Sequence, residues 1–322
     1  MDKLLCCDWG TSSLRLRLAN TADASVIASV NTAQGIASTF QLWKDTGHSR
    51  VDFYLHVIDA LIKQIENKLS VSLDGLPLVI SGMASASVGM MELPYSTLPF
   101  AVDGSGATTH YINSSGHFNH PVLLISGVKS NDDVMRGEET QLVGCMELLD
   151  EWPQEQVVIF PGTHSKHVTI NNRKAIAITT FMTGEFFELL SNQSILRLAV
   201  EKHPDIQSPS FVTHFSTGVT EAVTGNLLNT AFRVRTSELL GKRTKQENYS
   251  YLSGLVTGSE LKALQQGTCS RITVCGEGGL SALYETALQV INLPAAISIL
   301  SADKASEAAL RGQINIFNQF KR

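Results

Sequence analysis

Two short polar turns of similar make-up interrupt apolar runs in this chain. "DWGTSS" (8–13) follows "KLLCC", and "PGTHSK" (161–166) follows "QVVIF". Each holds a Gly-Thr pair with a serine close behind. Glycine lets the backbone turn tightly and bring its amides to a ligand, and threonine and serine add short hydroxyl donors. Such groups suit phosphate oxygens. The candidates are Gly10, Thr11 and Ser12 in the first turn and Gly162, Thr163 and His164 in the second. Asp8 stands where it could hold Mg2+, directly or through water, because Mg2+ takes carboxylate oxygens and keeps several waters. One such turn alone is an ordinary β-hairpin turn. Two at matching places in a repeat predict a pair of phosphate-binding turns facing one cleft. Neither is a G-x-x-x-x-G-K-[ST] loop, for which "GTHSK" is too short. A third turn, "CGEGGL" (275–280), follows the strand-like "RITVC" and opens a helix. It is half of a dinucleotide fingerprint without the third glycine. Gly276, Gly278 and Gly279 either favour phosphate at that helix N-terminus or form a bare turn.

The elements that must position these turns repeat. "LRLRLAN" alternates apolar and polar side chains, as a half-buried antiparallel strand does. "ASVIASVN" (24–31) predicts a third strand. A helix follows, with Leu55, Ile58, Ile62, Ile65 and Leu69 on one face and Asp52 as N-cap. "PLVISGM" (77–83) and "PVLLISG" (121–127) read as buried strands, separated by an irregular stretch at 84–120, and "GEETQLVGCMELL" (137–149) as a helix. The second half begins again: strand, polar turn, strand, "NNRK" hairpin, strand, then a helix at "TGEFFELL" with Thr183 as N-cap. A mostly helical stretch follows over 186–267, then strand, helix, strand and a last helix capped by Asp303. A pattern used twice is what doubled α/β domains produce. We expect an N-terminal domain over 1–153 and a C-terminal domain over 154–322, joined near "DEWPQEQ" (150–156). Arg15 and Arg17 are read as facing opposite sides of their strand. Gly254 and Gly258 are read as close helix packing.

The chain has 322 residues, 43% of them hydrophobic and 17% charged, with a net charge of −5. That balance argues against a protein that coats nucleic acid or anionic membrane, while leaving room for a small anion in a local basic pocket. Five cysteines without a C-x-x-C pair argue against a disulfide framework or a zinc cluster. The nine histidines show no metal-ligand spacing. With neither a leader-like segment nor a membrane-spanning run, the expected compartment is the cytoplasm.

"DWGTSSLRL" resembles the first phosphate loop of the actin, hexokinase and Hsp70 superfold. "DVMRGEETQLVG", "PGTHSKHV", "MTGEFFELLSNQSIL" and "YLSGLVTGSEL" resemble motifs of the 2-dehydro-3-deoxygalactonokinases. "SGMASASVGMMELPY" (81–95) is similar to another of that family's segments, with Met90 or Met91 in place of an aromatic. The glycine turn departs through Glu277. The likeness runs from Leu5 to about Gly312. It implies a two-domain actin-like α/β fold with mixed five-stranded sheets flanked by helices. It also implies an ATP- and Mg2+-dependent cytoplasmic kinase of 2-dehydro-3-deoxy-D-galactonate, acting on the 6-hydroxyl, with a homodimer as a possible assembly.

In such a kinase a carboxylate accepts the hydroxyl proton. Asp133 is the first candidate, with Asp132 and Glu138 behind it, although Glu138 and Glu139 equally suit the first turn of a helix. The sugar acid's carboxylate needs a cation, and Arg136 can grip it with two hydrogen bonds. Lys166 would serve that carboxylate or the transferring phosphate. Ser85, Ser87 and Glu139 complete the sugar-acid side, and the glycine turn packs near adenosine. Three other readings stand beside this one. They are a sensor of the same fold with reduced catalysis, a kinase for a related 2-keto-3-deoxy acid, and a serine hydrolase built on Ser85, for which no G-x-S-x-G elbow is present.

Overall fold

The computed structural model describes residues 2–149, 155–267, 269–276 and 278–321. The chain forms two compact units. Unit 1 is Met1–Trp152, Asn171–Ile178 and Lys304–Arg322; unit 2 is Pro153–Ile170 and Thr179–Asp303. Of the expected junction at 150–156, residues 150–154 lie outside the described residues, as does Glu277.

In unit 1, β1 (Lys3–Trp9), β2 (Leu14–Asn20) and β3 (Val26–Thr32) form an antiparallel meander. Two helices follow, α1 (Ile36–Lys44) and α2 (Arg50–Leu69). The α2 stripe buries Leu55, Ile58, Ile62 and Ile65, as its spacing requires. Its N-cap is Ser49, so Asp52 lies in the first turn, where a carboxylate still meets the exposed amides. β4 (Leu78–Gly82) runs parallel to β1, with Asp8 opposite Ser81. The stretch expected to be irregular contains a 3-10 turn (Met83–Ser85) and three short strands, β5 (Ser96–Thr97), β6 (Phe100–Ala101) and β7 (Thr109–Ile112). β8 (Val122–Ile125) pairs with β4 and β7, giving the sheet order β3-β2-β1-β4-β8-β7. To the five expected strands the fold thus adds β7 as an edge. The hairpin of β9 (Val128–Lys129) and β10 (Val134–Met135) leads into α3 (Glu138–Glu147).

The strand–turn–strand–strand pattern recurs in β11 (Glu155–Phe160), β12 (Ser165–Asn171) and β13 (Lys174–Phe181), which belong to unit 2 except for Asn171 and the part of β13 up to Ile178. The hairpin tip counted with unit 1 pairs Lys174 and Ala175 with Ala101 and Phe100 of β6. The helices α4 (Thr183–Asn192), α5 (Pro209–Thr224), α6 (Leu227–Leu239) and α7 (Lys245–Leu261) occupy the stretch expected to be helical. Met182 is the N-cap of α4, with Thr183 its first helical residue. β14 (Arg271–Val274), α8 (Leu280–Ile291) and β15 (Ala296–Ile299) complete the sheet order β15-β14-β11-β12-β13-β6, so here too a short strand is added to the five expected. Gly254 and Gly258 let α5 and α7 pack backbone to backbone. A Cβ at Gly254 would lie 1.9 Å from the Phe215 carbonyl oxygen, and one at Gly258 2.8 Å from Val219 Cα.

The last helix, α9 (Ala302–Phe320), belongs to unit 1 from Lys304 onward. Gln313 donates to the Cys7 carbonyl (2.7 Å) and to Ser81 Oγ (2.9 Å), binding α9 to the two central strands. Arg15 and Arg17 do not face opposite sides. Residues two apart share a strand face, and both guanidinium groups reach Ser306 of α9. Each unit has an apolar core of its own, around Trp9, Leu16, Tyr54 and Ile80 in unit 1 and around Ile159, Phe215 and Val274 in unit 2. All five cysteines are free thiols. Among the described residues no helix is long and apolar enough to cross a membrane.

Candidate active site

The first turn is pinned by the start of α1. Gly10 N–H donates to the Ser13 carbonyl (2.9 Å), while Ile36 and Ala37 N–H donate to the Gly10 and Thr11 carbonyls (3.0 and 3.1 Å). Gly35 stands so close that a Cβ there would lie 2.3 Å from Thr11 O. Thr11 and Ser12 are exposed, and Asp8 is half-buried at the end of β1. Beside it the chain twice requires glycine. Gly82 has φ +86°, and a Cβ on it would approach Trp9 O to 2.7 Å and Asp8 Oδ1 to 3.5 Å. Gly137 has φ +109°, and its Cβ would lie 3.4 Å from Gly82 Cα. The start of α3 is thereby brought next to the end of β4 and to Asp8.

Arg136 sits at that junction. Its Nη1 donates to the Ser85 carbonyl (2.6 Å) and to Ser85 Oγ. Its guanidinium carbon lies 4.2 Å from the Tyr95 ring centroid, within cation–π range. Nε is buried without a hydrogen-bond partner among the described residues. Ser85 is fully buried, with its hydroxyl engaged by Arg136 rather than by a histidine, so the hydrolase reading loses its nucleophile. Asp132 and Asp133 occupy the β9–β10 turn, where the Asp132 and Asp133 amides donate to Ser130 Oγ, and Asp133 Oδ1 accepts from Val134 N–H (2.7 Å). Glu138 Oε2 accepts from Arg136 N–H (3.0 Å). Glu139 is buried, and accepts from Gly137 N–H (2.6 Å) and Thr140 Oγ1 (2.9 Å). Burial, reinforced by the neighbouring Glu138, pushes its carboxyl up to about 7 against the pull of those hydrogen bonds. Ser87 is exposed, and its carbonyl accepts from Arg50 (2.7 Å).

The second turn is pinned in the same way by α4. Glu185 N–H donates to the Thr163 carbonyl (3.1 Å), and a Cβ on Gly184 would lie 2.7 Å from Gly162 O. Thr163 and His164 are exposed, and a Cβ on Gly162 would meet open space. His164 pairs with Glu185 across 2.5 Å, and Lys166, largely buried, donates to the His164 carbonyl (3.2 Å). The glycine turn lies against this one, since a Cβ on Gly276 would come within 3.2 Å of Pro161 Cγ. Ser281 of α8 donates to the Gly276 carbonyl (2.7 Å), Gly278 has φ +62°, and Gly279 is the N-cap of α8.

Beneath these turns is a polar cluster that the sequence reading missed. Glu260 Oε1 accepts from Ser165 Oγ (2.7 Å) and meets His167 Nε2 (2.8 Å); Oε2 accepts from Tyr284 Oη (2.6 Å) and Thr183 Oγ1. Burial alone would raise this carboxyl, but the His167 hydrogen bond and charge, with Thr183 and Tyr284, hold it below its ordinary value. The signal was present: Glu260 is a lone acid within the apolar helix "YLSGLVTGSEL". Its partners lie 24 to 95 residues away, which local pattern does not reach.

A 2-keto-3-deoxy-galactonokinase family profile matches residues 8–313. The chain is 32% identical over 311 residues to the probable 2-dehydro-3-deoxygalactonokinase of Rhizobium meliloti (strain 1021), covering 94% of each. It is 27% identical over 241 residues to the 2-dehydro-3-deoxygalactonokinase of Escherichia coli (strain K12), covering 73% of this chain and 77% of that one. A Sinorhizobium meliloti crystal structure carrying the same enzyme name superposes with a TM-score of 0.77 at 30% identity, over 96% of this chain and 97% of the other. Component A of the Acidaminococcus fermentans (R)-2-hydroxyglutaryl-CoA dehydratase shares the fold alone, with a TM-score of 0.51 at 12% identity over the full length of both chains. The profile spans nearly the whole chain and includes every turn described above, so this protein belongs to the 2-keto-3-deoxy-galactonokinase family.

Proposed function

We propose that this family's reaction is carried out here by Arg136, Asp133 and the three polar turns. The protein is a phosphotransferase that phosphorylates 2-dehydro-3-deoxygalactonate with ATP. Transfer requires an aligned γ-phosphate, neutralised charge and an acceptor for the hydroxyl proton. Arg136 grips the sugar acid's carboxylate, and the state of its guanidinium is the observation that carries this reading. Nη1 is committed to Ser85, while the edge bearing Nε retains a buried donor without a partner among the described residues. A carboxylate fits that edge with two parallel hydrogen bonds. Tyr95 and Ser85 hold the group in place, and Glu139 fixes the Gly137 turn beside it.

Asp133 accepts the proton of the 6-hydroxyl as that oxygen bonds to the γ-phosphorus and ADP leaves, with Asp132 and Glu138 as the alternative bases. Gly10, Thr11 and Ser12, and separately Gly162, Thr163 and His164, give amide and hydroxyl donors to phosphate oxygens. Gly276, Gly278 and Gly279 serve the adenosine side, and Lys166 offsets charge on the transferring group. Mg2+ carried by the phosphates supplies charge neutralisation, with Asp8 as its protein carboxylate. A single half-buried carboxylate suits a cation that keeps most of its waters, and among the described residues no three His, Cys, Asp or Glu side chains gather as a metal cage. Five free thiols fit a reducing, cytoplasmic setting.

A coupled ATP-consumption assay across aldonic acids, 2-keto-3-deoxy acids and neutral hexoses tests this reading. Turnover is expected for 2-keto-3-deoxy acids with Mg2+ and only weakly for neutral sugars. Glucose turnover equal to that of the sugar acid would overturn it.

A further inference from the structure

We infer that Glu260 is a positioning residue that locks the two ATP-binding turns of unit 2 into one arrangement; this rests on the reading of those turns as nucleotide-binding. Its carboxylate joins three elements, β12, α4 and α8, to its own helix α7. Ser165 and His167 belong to β12, directly after the Gly162–His164 turn. Thr183 is the first residue of α4, whose next two residues press against that turn through Gly184 and the Glu185 amide. Tyr284 belongs to α8, whose Ser281 holds the Gly276 carbonyl. The Tyr284 hydroxyl also lies 3.2 Å from Ser165 Oγ, which closes the network across the carboxylate.

The environment makes this a rigid junction. Ser165 is wholly buried, and Glu260, His167 and Tyr284 are nearly so. Glu260 accepts through both oxygens, from three hydroxyls and one imidazole. A buried carboxylate satisfied on every side resists displacement, because moving any one partner leaves charge unpaired in a low-dielectric site. Two turns fixed to one buried point keep their spacing without ligand, so ATP need not order them on binding.

The test is MgATP and ADP affinity by calorimetry, with KM for ATP and for the sugar acid, in Glu260→Ala, Glu260→Gln and Tyr284→Phe. Glu260→Ala is expected to raise the nucleotide Kd about 10-fold or more, with the sugar-acid KM within twofold of wild type. Glu260→Gln keeps the shape, and its amide can donate to the hydroxyls, so it should recover most of that loss. Tyr284→Phe, which removes one oxygen and so keeps the fold, should raise the Kd severalfold. A folded Glu260→Ala protein with wild-type nucleotide affinity would overturn the proposal. If that variant does not fold, wild-type affinity in both Tyr284→Phe and Glu260→Gln overturns it. Gly162→Val, whose side chain meets open space, separates this from the underlying reading. If it lowers nucleotide affinity while the Glu260 and Tyr284 variants do not, only the positioning role fails. If it too leaves affinity unchanged, the turn does not bind phosphate.

Discussion

The turn after β1 and the turn after β11 are pinned by one device. In each, a helix amide donates to the threonine carbonyl, from Ala37 to Thr11 and from Glu185 to Thr163. In each, a glycine at the helix start touches turn backbone, Gly35 in the first and Gly184 in the second. The floors beneath them differ. The first turn rests on an apolar core, with Trp9 packed 5.2 Å from Tyr54, centroid to centroid, and Ile36 buried beside them. The second rests on the hydroxyls and imidazole gathered around Glu260. A repeat therefore preserves backbone geometry while leaving the supporting chemistry free to change. The buried glutamates of the two units make the same point. Glu139 has mainly neutral donors and an acidic neighbour, so burial wins and its carboxyl is raised; Glu260 has His167, and its carboxyl is lowered.

The largest effect separates chemistry from binding. Asp133→Asn keeps size and hydrogen bonding but accepts no proton, so kcat should fall by roughly 10²–10⁴ while ATP binds as before. Near-wild-type kcat would move the base to Asp132 or Glu138. Steady-state kinetics beside ATP calorimetry decides between these outcomes.

The next uses the glutamates. With its folded value raised to about 7, Glu139 favours folding most below the ordinary carboxylate range, and this contribution is lost as pH rises through 7. Glu260 behaves oppositely, since its contribution is present above the ordinary range and is lost as pH falls through its lowered value. Glu139→Gln should therefore flatten the stability profile between pH 5 and 8. Relative to wild type it should gain with rising pH, up to roughly 3 kcal/mol. Denaturant unfolding across that range measures it, and a gain confined to pH 5 would reverse the assignment.

A smaller effect probes the shared device. Gly35→Ala and Gly184→Ala each force a methyl into backbone at 2.3 and 2.7 Å, and each should cost roughly 1–3 kcal/mol, Gly35 the more. Equal thermal stability of the two variants and wild type would show that the close approaches are slack.

The repeat was legible because Gly-Thr turns, strand alternation and the α2 stripe are local signals. Asp52, Thr183 and Asp303 were placed at helix starts correctly to within a turn, and the error came from Ser49 and Met182 taking the cap positions. β5 and β6 were illegible because a two-residue strand has no period and is defined by a distant partner, such as Val128 for Ser96. Ser85 and Arg136 were both named from the sequence, but their contact spans 51 residues and only the fold reveals it. Glu260 was missed for the same reason, although an acid in the otherwise uncharged stretch "YLSGLVTGSEL" was a visible anomaly.

The most direct measurement concerns Arg136. It compares kcat/KM for 2-keto-3-deoxygalactonate and for the same sugar with its carboxylate reduced to an alcohol, in wild type and in Arg136→Ala. Wild type should prefer the acid by about 10²-fold, the worth of a charged two-bond contact. In Arg136→Ala that preference should collapse towards unity, with the KM for ATP unchanged. An undiminished preference for the acid in the variant would show that another group reads the carboxylate, and would contradict the site proposed here.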